Sequence, residues 1–334
     1  MAKLKIGILG TGKVTEGNYL PCMVEEPDVT LGYYNRTQAK AEACAARFGG
    51  HVFPTAAALV DWQPDAVFVL TGEKDRYDAA CALLEHHPRR LFFEKPLVAH
   101  HWQENVTEQD FEDGLKILQK AAALGCETAM IFNYRFFEQS QAARRIAAER
   151  GFGEVRNISG LVHYACWSHC IDLVHFFAGP IAEISALQGQ AVHSAGWMHA
   201  QDVTAAFRTE SDASGTLIGT TTLEWKYPLY ELTFNYERGR IRMQVLDGEL
   251  TVMDSQRSEV ESYRVTGGDR SRWDQYNRSF KKSIAAYLQS IRYRQPPPVP
   301  GKFGLLELQV EAALKRSIAL ARPVKLADEF PLNL

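Results

Sequence analysis

The chain has 334 residues, 46% of them hydrophobic and 23% charged, with a net charge of -3. That composition supplies apolar material for two ordinary domains and excludes a disordered chain, while the slight acidity argues against a nucleic-acid partner, which needs a strongly basic face. No apolar run is long enough to span a bilayer, and residues 1–20 read as a charged strand and turn rather than a secretory leader, so a cytoplasmic protein without membrane association is expected.

Lys3 to Leu9 form an apolar strand that runs directly into Gly10-Thr11-Gly12. In a dinucleotide-binding turn the first glycine permits the sharp bend and the second lets the backbone approach a pyrophosphate, with the following helix aiming unpaired N–H groups at the anion. Thr11, Lys13 and Val14 complete this candidate turn. Thr15 stands where a third glycine is usual, and its side chain is expected to crowd the helix against the strand. A second strand, 29–34, ends at Asn35-Arg36-Thr37, where an acid would accept the adenosine ribose hydroxyls of NAD. An amide, a guanidinium and a hydroxyl suit a 2′-phosphate instead, so NADP(H) is the preferred cofactor and NAD(H) the alternative.

Strands follow near 66–70, 90–93 and 127–132, with Ala-rich helices between them. Their unbroken apolar runs suit a doubly wound parallel sheet covered on both faces, a Rossmann domain assigned to residues 1–125. A helix near 137–150 precedes strand patterns near 154–163, 182–190, 202–209, 215–224, 230–236 and 240–246, joined by short turns such as Glu237-Arg238-Gly239. Residues 126–334 are therefore read as an α+β domain with an open, mostly antiparallel sheet. Two helices, Tyr276–Arg294 and Gly304–Leu320, close the chain around a stiff segment, Gln295 to Pro300. The last is expected to pack back on the first domain. Six cysteines spread between Cys22 and Cys170 read as reduced thiols.

The glycine-rich turn, Asn35-Arg36-Thr37, Glu94-Lys95-Pro96 after the strand at 90–93, Gly153-Glu154-Val155 at the start of the second domain, and His169 to Asp172 near a helix start occur in an order that resembles the Gfo/Idh/MocA oxidoreductases. The resemblance implies a nicotinamide cofactor, a Lys95–Pro96 peptide bond in the cis form, Lys95 beside the nicotinamide, and His169 opposite it as acid or base. A lysine there can hydrogen-bond the substrate oxygen that exchanges a proton as hydride moves. His169 has the neutral pKa for that role, or is a packed core residue beside Trp167. Asp172 shares its helical face and is expected to orient the imidazole.

Departures from the pattern bear on activity. Ala165 replaces an aspartate four residues before the histidine, the loop before His169 is short, and Thr71-Gly72-Glu73-Lys74-Asp75-Arg76 replaces a Thr-Pro-Asn turn. Thr71 and Gly72 are candidate cofactor contacts, and Arg76 is expected to meet a cofactor phosphate or an anionic substrate. Tyr164 and His163 are substitute proton donors, and Trp167 is a candidate substrate contact. His163, Cys166, His169 and Cys170 lack the separated pairs of a zinc site, so no metal is expected.

These residues lead to an oxidoreductase moving hydride to or from a hydroxyl or carbonyl of a sugar, polyol or related small molecule. The rivals are a nucleotide-binding regulatory protein that has lost its chemistry and a cofactor-assisted glycosidase. The second sheet is expected to pair subunits into a homodimer or homotetramer, through an outward face that includes Leu217, Thr221, Leu223 and Trp225.

Overall fold

The computed structural model describes residues 3–245, 249–264 and 273–334. Six parallel strands form the first sheet: β1 (Leu4–Leu9), β2 (Val29–Tyr34), β3 (His51–Val52), β4 (Ala66–Val69), β5 (Arg90–Glu94) and β6 (Glu127–Ile131), in the order β3-β2-β1-β4-β5-β6. The central strands are buried along their length, with Ala66, Val67, Phe68 and Val69 fully sealed. That is the cost-free arrangement for runs without polar alternation. Strand order reverses between β1 and β4, and a ligand crevice opens there beyond their carboxyl ends. β6 belongs to this sheet although it lies past residue 125.

Helices cover both faces: α1 (Leu20–Met23), α2 (Gln38–Phe48), α3 (Ala56–Asp61), α4 (Arg76–Leu84) and α5 (Glu108–Ala123). The turn after Gly12 leads through a π-helical segment, Thr15–Tyr19, into α1. Thr15 does not crowd it. Its buried hydroxyl donates to the Gly10 carbonyl at 3.0 Å, so the polar atom ties turn to helix.

After α6 (Glu138–Glu149) comes a nine-stranded sheet of β7 (Val155–His163), β8 (Ile181–Ala195), β9 (Met198–Thr209), β10 (Ser214–Thr220), β11 (Tyr230–Tyr236), β12 (Gly239–Val245), β13 (Glu249–Asp254), β14 (Glu259–Arg264) and the late strand β15 (Val324–Lys325). Their order is β14-β13-β12-β11-β7-β10-β9-β8-β15, antiparallel except where β7 meets β10. The strand expected to reach residue 224 stops at Thr220, and residue 246 of the strand expected at 240–246 lies outside the described residues.

α7 (Trp167–Ala178), α8 (Asp274–Arg292) and α9 (Lys302–Leu320) fill the space between the sheets, and α10 (Leu326–Glu329) closes the chain. α9 is buried nearly all round, with Leu305 and Leu308 set against Gly114 of α5. It therefore packs on α5. Leu217 and Thr221 were expected on the outward face but are buried, because along β10 the inward positions are Gly215, Leu217 and Gly219. The outward ones are Thr216 and Ile218.

Candidate active site

The first part of the site is a cleft of about 440 Å³ at the carboxyl ends of β1, β2 and β4. Gly10, Thr11, Gly12, Asn35, Arg36, Thr37, Thr71 and Gly72, the residues singled out from sequence as candidate cofactor contacts, line it. Gly10 has a φ of +100°, and a Cβ there would lie 2.6 Å from the Thr71 nitrogen, so only glycine fits. Gly12 and Gly72 face open space, where a side chain would instead fill the cradle, and the Thr71 hydroxyl is buried without a hydrogen-bond partner among the described residues. Open glycine backbone and an unsatisfied hydroxyl fit a pyrophosphate. Lys13 and Val14 do not line this cleft, and Val14 is exposed.

At the adenosine end, the Asn35 amide donates to the Thr37 carbonyl at 3.0 Å and so shapes the turn. Arg36 is exposed and sits 3.6 Å from Asp75. Lys40, one helical turn along α2, lines the same wall, as do Asp75 and Asp78. Lys40 was not singled out from sequence, although its place three residues beyond Thr37 puts it on the first turn of the helix.

Arg76 has a different job from the one expected. Its guanidinium is buried and donates to the Thr71 carbonyl at 2.7 Å and to the Pro96 carbonyl, stapling the β4 turn to the β5 turn. Those two terminal nitrogens are held by backbone carbonyls, while Nε is buried without a hydrogen-bond partner among the described residues.

The second part lies at the end of β5. The Lys95–Pro96 bond is cis, as the resemblance implied. Glu94 accepts from the Lys95 backbone N–H and is pushed up in pKa by burial, against the pull of Lys95 and Arg76. The Lys95 ammonium donates to Gln103 Oε1 at 2.6 Å. Gln103 belongs to the 97–106 segment, whose role gave no sequence signal because its contact is with a residue on a different turn.

His169, on the first turn of α7, is buried, and its ring stacks on Tyr134 at 3.8 Å with planes 8° apart. Burial first, and then the nearby Lys95 ammonium, lower its pKa well below the ordinary value. A neutral imidazole is thus held within the field of Lys95. Its Nδ1 has no hydrogen-bond partner among the described residues.

The side chains expected to assist His169 are directed elsewhere. Asp172 is fully buried and pairs with Arg135 through two bonds, at 2.7 and 2.5 Å, while the guanidinium lies 4.2 Å from the Phe303 ring centroid. Asp172 therefore does not orient the imidazole. The Tyr164 hydroxyl donates to the Gln201 carbonyl at 2.7 Å, and burial raises its pKa, so it is not poised as a proton donor. His163 is sealed, with Nδ1 accepting from the Ala165 N–H at 3.0 Å and its pKa lowered by burial. Trp167 is buried in the core rather than open to substrate.

Behind His169, α9 presents Glu307 and Glu311 one turn apart, both buried. Burial and their mutual charge hold Glu307 well above the usual carboxylate range, with neighbouring Ser168 and Lys95 opposing. Burial also pushes Glu311 up to about 7. Neither Glu307 oxygen makes a well-formed hydrogen bond among the described residues. Such acids stay largely neutral where neutral carboxyls cost least.

Among the described residues no helix is long and apolar enough to cross a membrane, and no three His, Cys, Asp or Glu side chains converge as a metal site.

Residues 4–124 match the model of the Gfo/Idh/MocA family, described as an oxidoreductase family with an NAD-binding Rossmann fold. A search of curated proteins by sequence gives no match. Among solved structures, the chain is similar to an NAD-binding oxidoreductase of Klebsiella pneumoniae, at 18% identity and a TM-score of 0.79 over 97% of this chain and 99% of that one. It is also similar to the UDP-N-acetylglucosamine 3-dehydrogenase GnnA of Acidithiobacillus ferrooxidans, at 16% identity and a TM-score of 0.75 over 96% and 99%. A third is the WlbA dehydrogenase of Bordetella pertussis, solved with NADH and UDP-GlcNAcA, at 18% identity and a TM-score of 0.76 over 97% and 98%. At such identities the likeness shows a shared fold.

Proposed function

From the premise that residues 4–124 are a Gfo/Idh/MocA-type NAD-binding domain, we propose that the protein is a nicotinamide-dependent oxidoreductase that prefers NADP(H) and acts on a hydroxyl or carbonyl carbon of a sugar or polyol. The observation that carries this reading is the pairing of Lys95, held by Gln103 at the end of β5, with a neutral His169 inside its electrostatic reach. When bound in the β1–β4 crevice, the nicotinamide supplies a carbon that gives or takes hydride. Lys95 then donates to the substrate oxygen and stabilises it as charge grows there. His169, kept neutral, is able to accept the hydroxyl proton that an oxidation releases.

Thr11, Gly12 and Gly72 would hold the pyrophosphate, and Arg36 with Lys40 the 2′-phosphate, once Arg36 leaves Asp75. Substrate binds from the second-domain side, and the outer face of the nine-stranded sheet pairs two subunits.

One observation favours the regulatory rival. Ala165 places no acid beside His169, whose Nδ1 is left unpaired among the described residues.

The test is turnover of NADP⁺ or NADPH with a panel of sugars, polyols and their keto forms. Lys95→Met is expected to lower kcat/KM by about 10²- to 10⁴-fold with the cofactor Kd little changed. If no member of the panel is turned over by wild-type protein that binds NADP⁺ normally, the regulatory reading replaces this one.

A further inference from the structure

Oxidation of a hydroxyl puts a second positive charge into a sealed site. Lys95 is a cation within electrostatic reach of His169, and His169, itself buried, becomes another when it accepts the hydroxyl proton. Two cations in a low-dielectric site repel strongly unless an anion answers them. Asp172, three residues along α7, is not that anion, because both its oxygens are taken by Arg135.

The opposite sign is available on α9. Glu307 is fully buried, lies beside Ser168, the residue before His169, and is within reach of the Lys95 charge. Both Glu307 oxygens, the Ser168 hydroxyl and His169 Nδ1 are sealed from solvent without a well-formed hydrogen bond among the described residues. A carboxylate without donors is strongly disfavoured in such a place, so Glu307 rests as the neutral acid. Glu311 and Asp172 favour that form and Lys95 the ionised one. A proton arriving on His169 adds to the Lys95 side of this balance and makes ionisation of Glu307 easier.

α9 also offers the released proton a way out. Residues 307, 311 and 315 recur at four-residue spacing and therefore follow one another along a single helical face. Glu311 ionises at about 7, so near neutral pH it is able to accept a proton. Lys315, partly exposed, and the Trp167 indole of α7 favour its ionised form, while Asp110 of α5 opposes it. The neutral Tyr164 also faces Glu311.

We propose that Glu307 is a positioning residue that supplies, from α9, the negative charge that balances Lys95 and His169 whenever His169 holds a proton. The hydroxyl proton passes to His169, the hydride with its electron pair to the nicotinamide, and the Glu307 proton through Glu311 to solvent. Once product has left, the His169 proton restores Glu307, so each oxidation releases one proton. This rests on the oxidoreductase reading for turnover, but not for the shared charge.

The test begins with the full-length protein free of cofactor and substrate. Infrared difference spectra at neutral pH should show a protonated-carboxyl carbonyl stretch in wild type that Glu307→Gln lacks. In nuclear magnetic resonance titrations with labelled histidine, the His169 signal being assigned by its loss in His169→Ala, the imidazole should bind a proton about tenfold more weakly in Glu307→Gln than in wild type. Glu307→Asp, which keeps an acid, should retain most of the wild-type affinity, and circular dichroism checks the fold of each variant. With a sugar or polyol that wild type oxidises, Glu307→Gln should lower kcat by about tenfold and leave KM nearly unchanged.

No carboxyl band lost, a His169 titration equal in wild type and Glu307→Gln, a wild-type His169 that never protonates in the folded protein, or an unchanged kcat would each overturn the proposal. The expected infrared and His169 results in a wild-type protein that oxidises nothing would leave the shared charge standing and remove only the activity proposed above.

Discussion

At the scale of single residues, two side chains carry opposite lessons about charge. Glu311 ionises near 4.5 as a free side chain, and the fold pushes that up to about 7. The native state therefore keeps a proton that the unfolded chain has lost, so stability from this group is full below about pH 4.5 and is lost as pH rises through about 7. Lys315 and the Trp167 indole oppose the shift, while Asp110 on α5 adds to it. Glu311→Gln removes the titration and should gain on the order of 3 kcal/mol over wild type near pH 8, with little gain near pH 4. Urea denaturation at both pH values checks this, and equal gains at the two would refute it. Arg36 is the opposite case, an exposed cation 3.6 Å from Asp75 that matters only when an anion arrives. Arg36→Ala is expected to weaken NADP⁺ binding by about tenfold and leave NAD⁺ binding nearly unchanged. Equal losses for the two cofactors, measured by calorimetry, would remove Arg36 from the 2′-phosphate site.

At the scale of elements, the segment that holds Lys95 in place depends on the start of α5. Asp110 is fully buried, and its Oδ2 accepts from the Thr107 N–H at 2.7 Å and hydroxyl at 2.8 Å, while Oδ1 accepts from the His100 N–H at 2.7 Å. One carboxylate thus caps the helix and fixes both ends of the stretch that carries Gln103. Asp110→Ala leaves two backbone donors unpaired and should cost about 2 kcal/mol in denaturant unfolding. It should also raise KM for the sugar more than for the cofactor, and a stability loss with unchanged kinetics would separate the cap from the site. The parallel strands were legible because runs such as Ala66 to Val69 are apolar without alternation. Strand β14 was not, because Glu259–Arg264 is mostly exposed and its register comes only from pairing with β13. β3, two residues long, left no pattern at all. Within the site, glycines and Lys95 could be read from local spacing, whereas Gln103 and Tyr134 act through contacts that only the fold creates. Glu307 and Glu311 did leave a signal, two acids one turn apart within the mostly apolar stretch from Leu305 to Leu314, and Asp172 misled because helical spacing placed it near His169 while Arg135 claimed it from another element.

At the scale of the whole molecule, the nine-stranded sheet has one face filled by helices and the other turned outward. Strand register sets two rows across that outer face: Ser159, Thr216, Ala206 and Ser185 in one, and Leu161, Ile218, Thr204 and Leu187 in the next. These side chains are small or aliphatic and uncharged, with Leu161, Ile218 and Leu187 at 40%, 38% and 78% exposure. Charged pairs sit around them, Arg208 with Glu183 and Arg242 with Glu231. An apolar centre with a charged rim is how association surfaces are organised, and two flat sheets can stack face to face with each burying the other's rows. Ile218 lies on the central strand of this patch, so Ile218→Glu would bury an unpaired carboxylate at the middle of a dimer, a cost of several kcal/mol that side-chain packing cannot offset. The wild-type protein is expected to be a dimer, or a tetramer built from it, in sedimentation and light scattering at micromolar concentration, and Ile218→Glu to shift it towards monomer. The same substitution at Leu187, nearer the edge of the sheet, should shift it less, because a rim charge retains water. A wild-type monomer, or an Ile218→Glu protein of unchanged mass, would assign these rows to solvent rather than to a second copy of the chain.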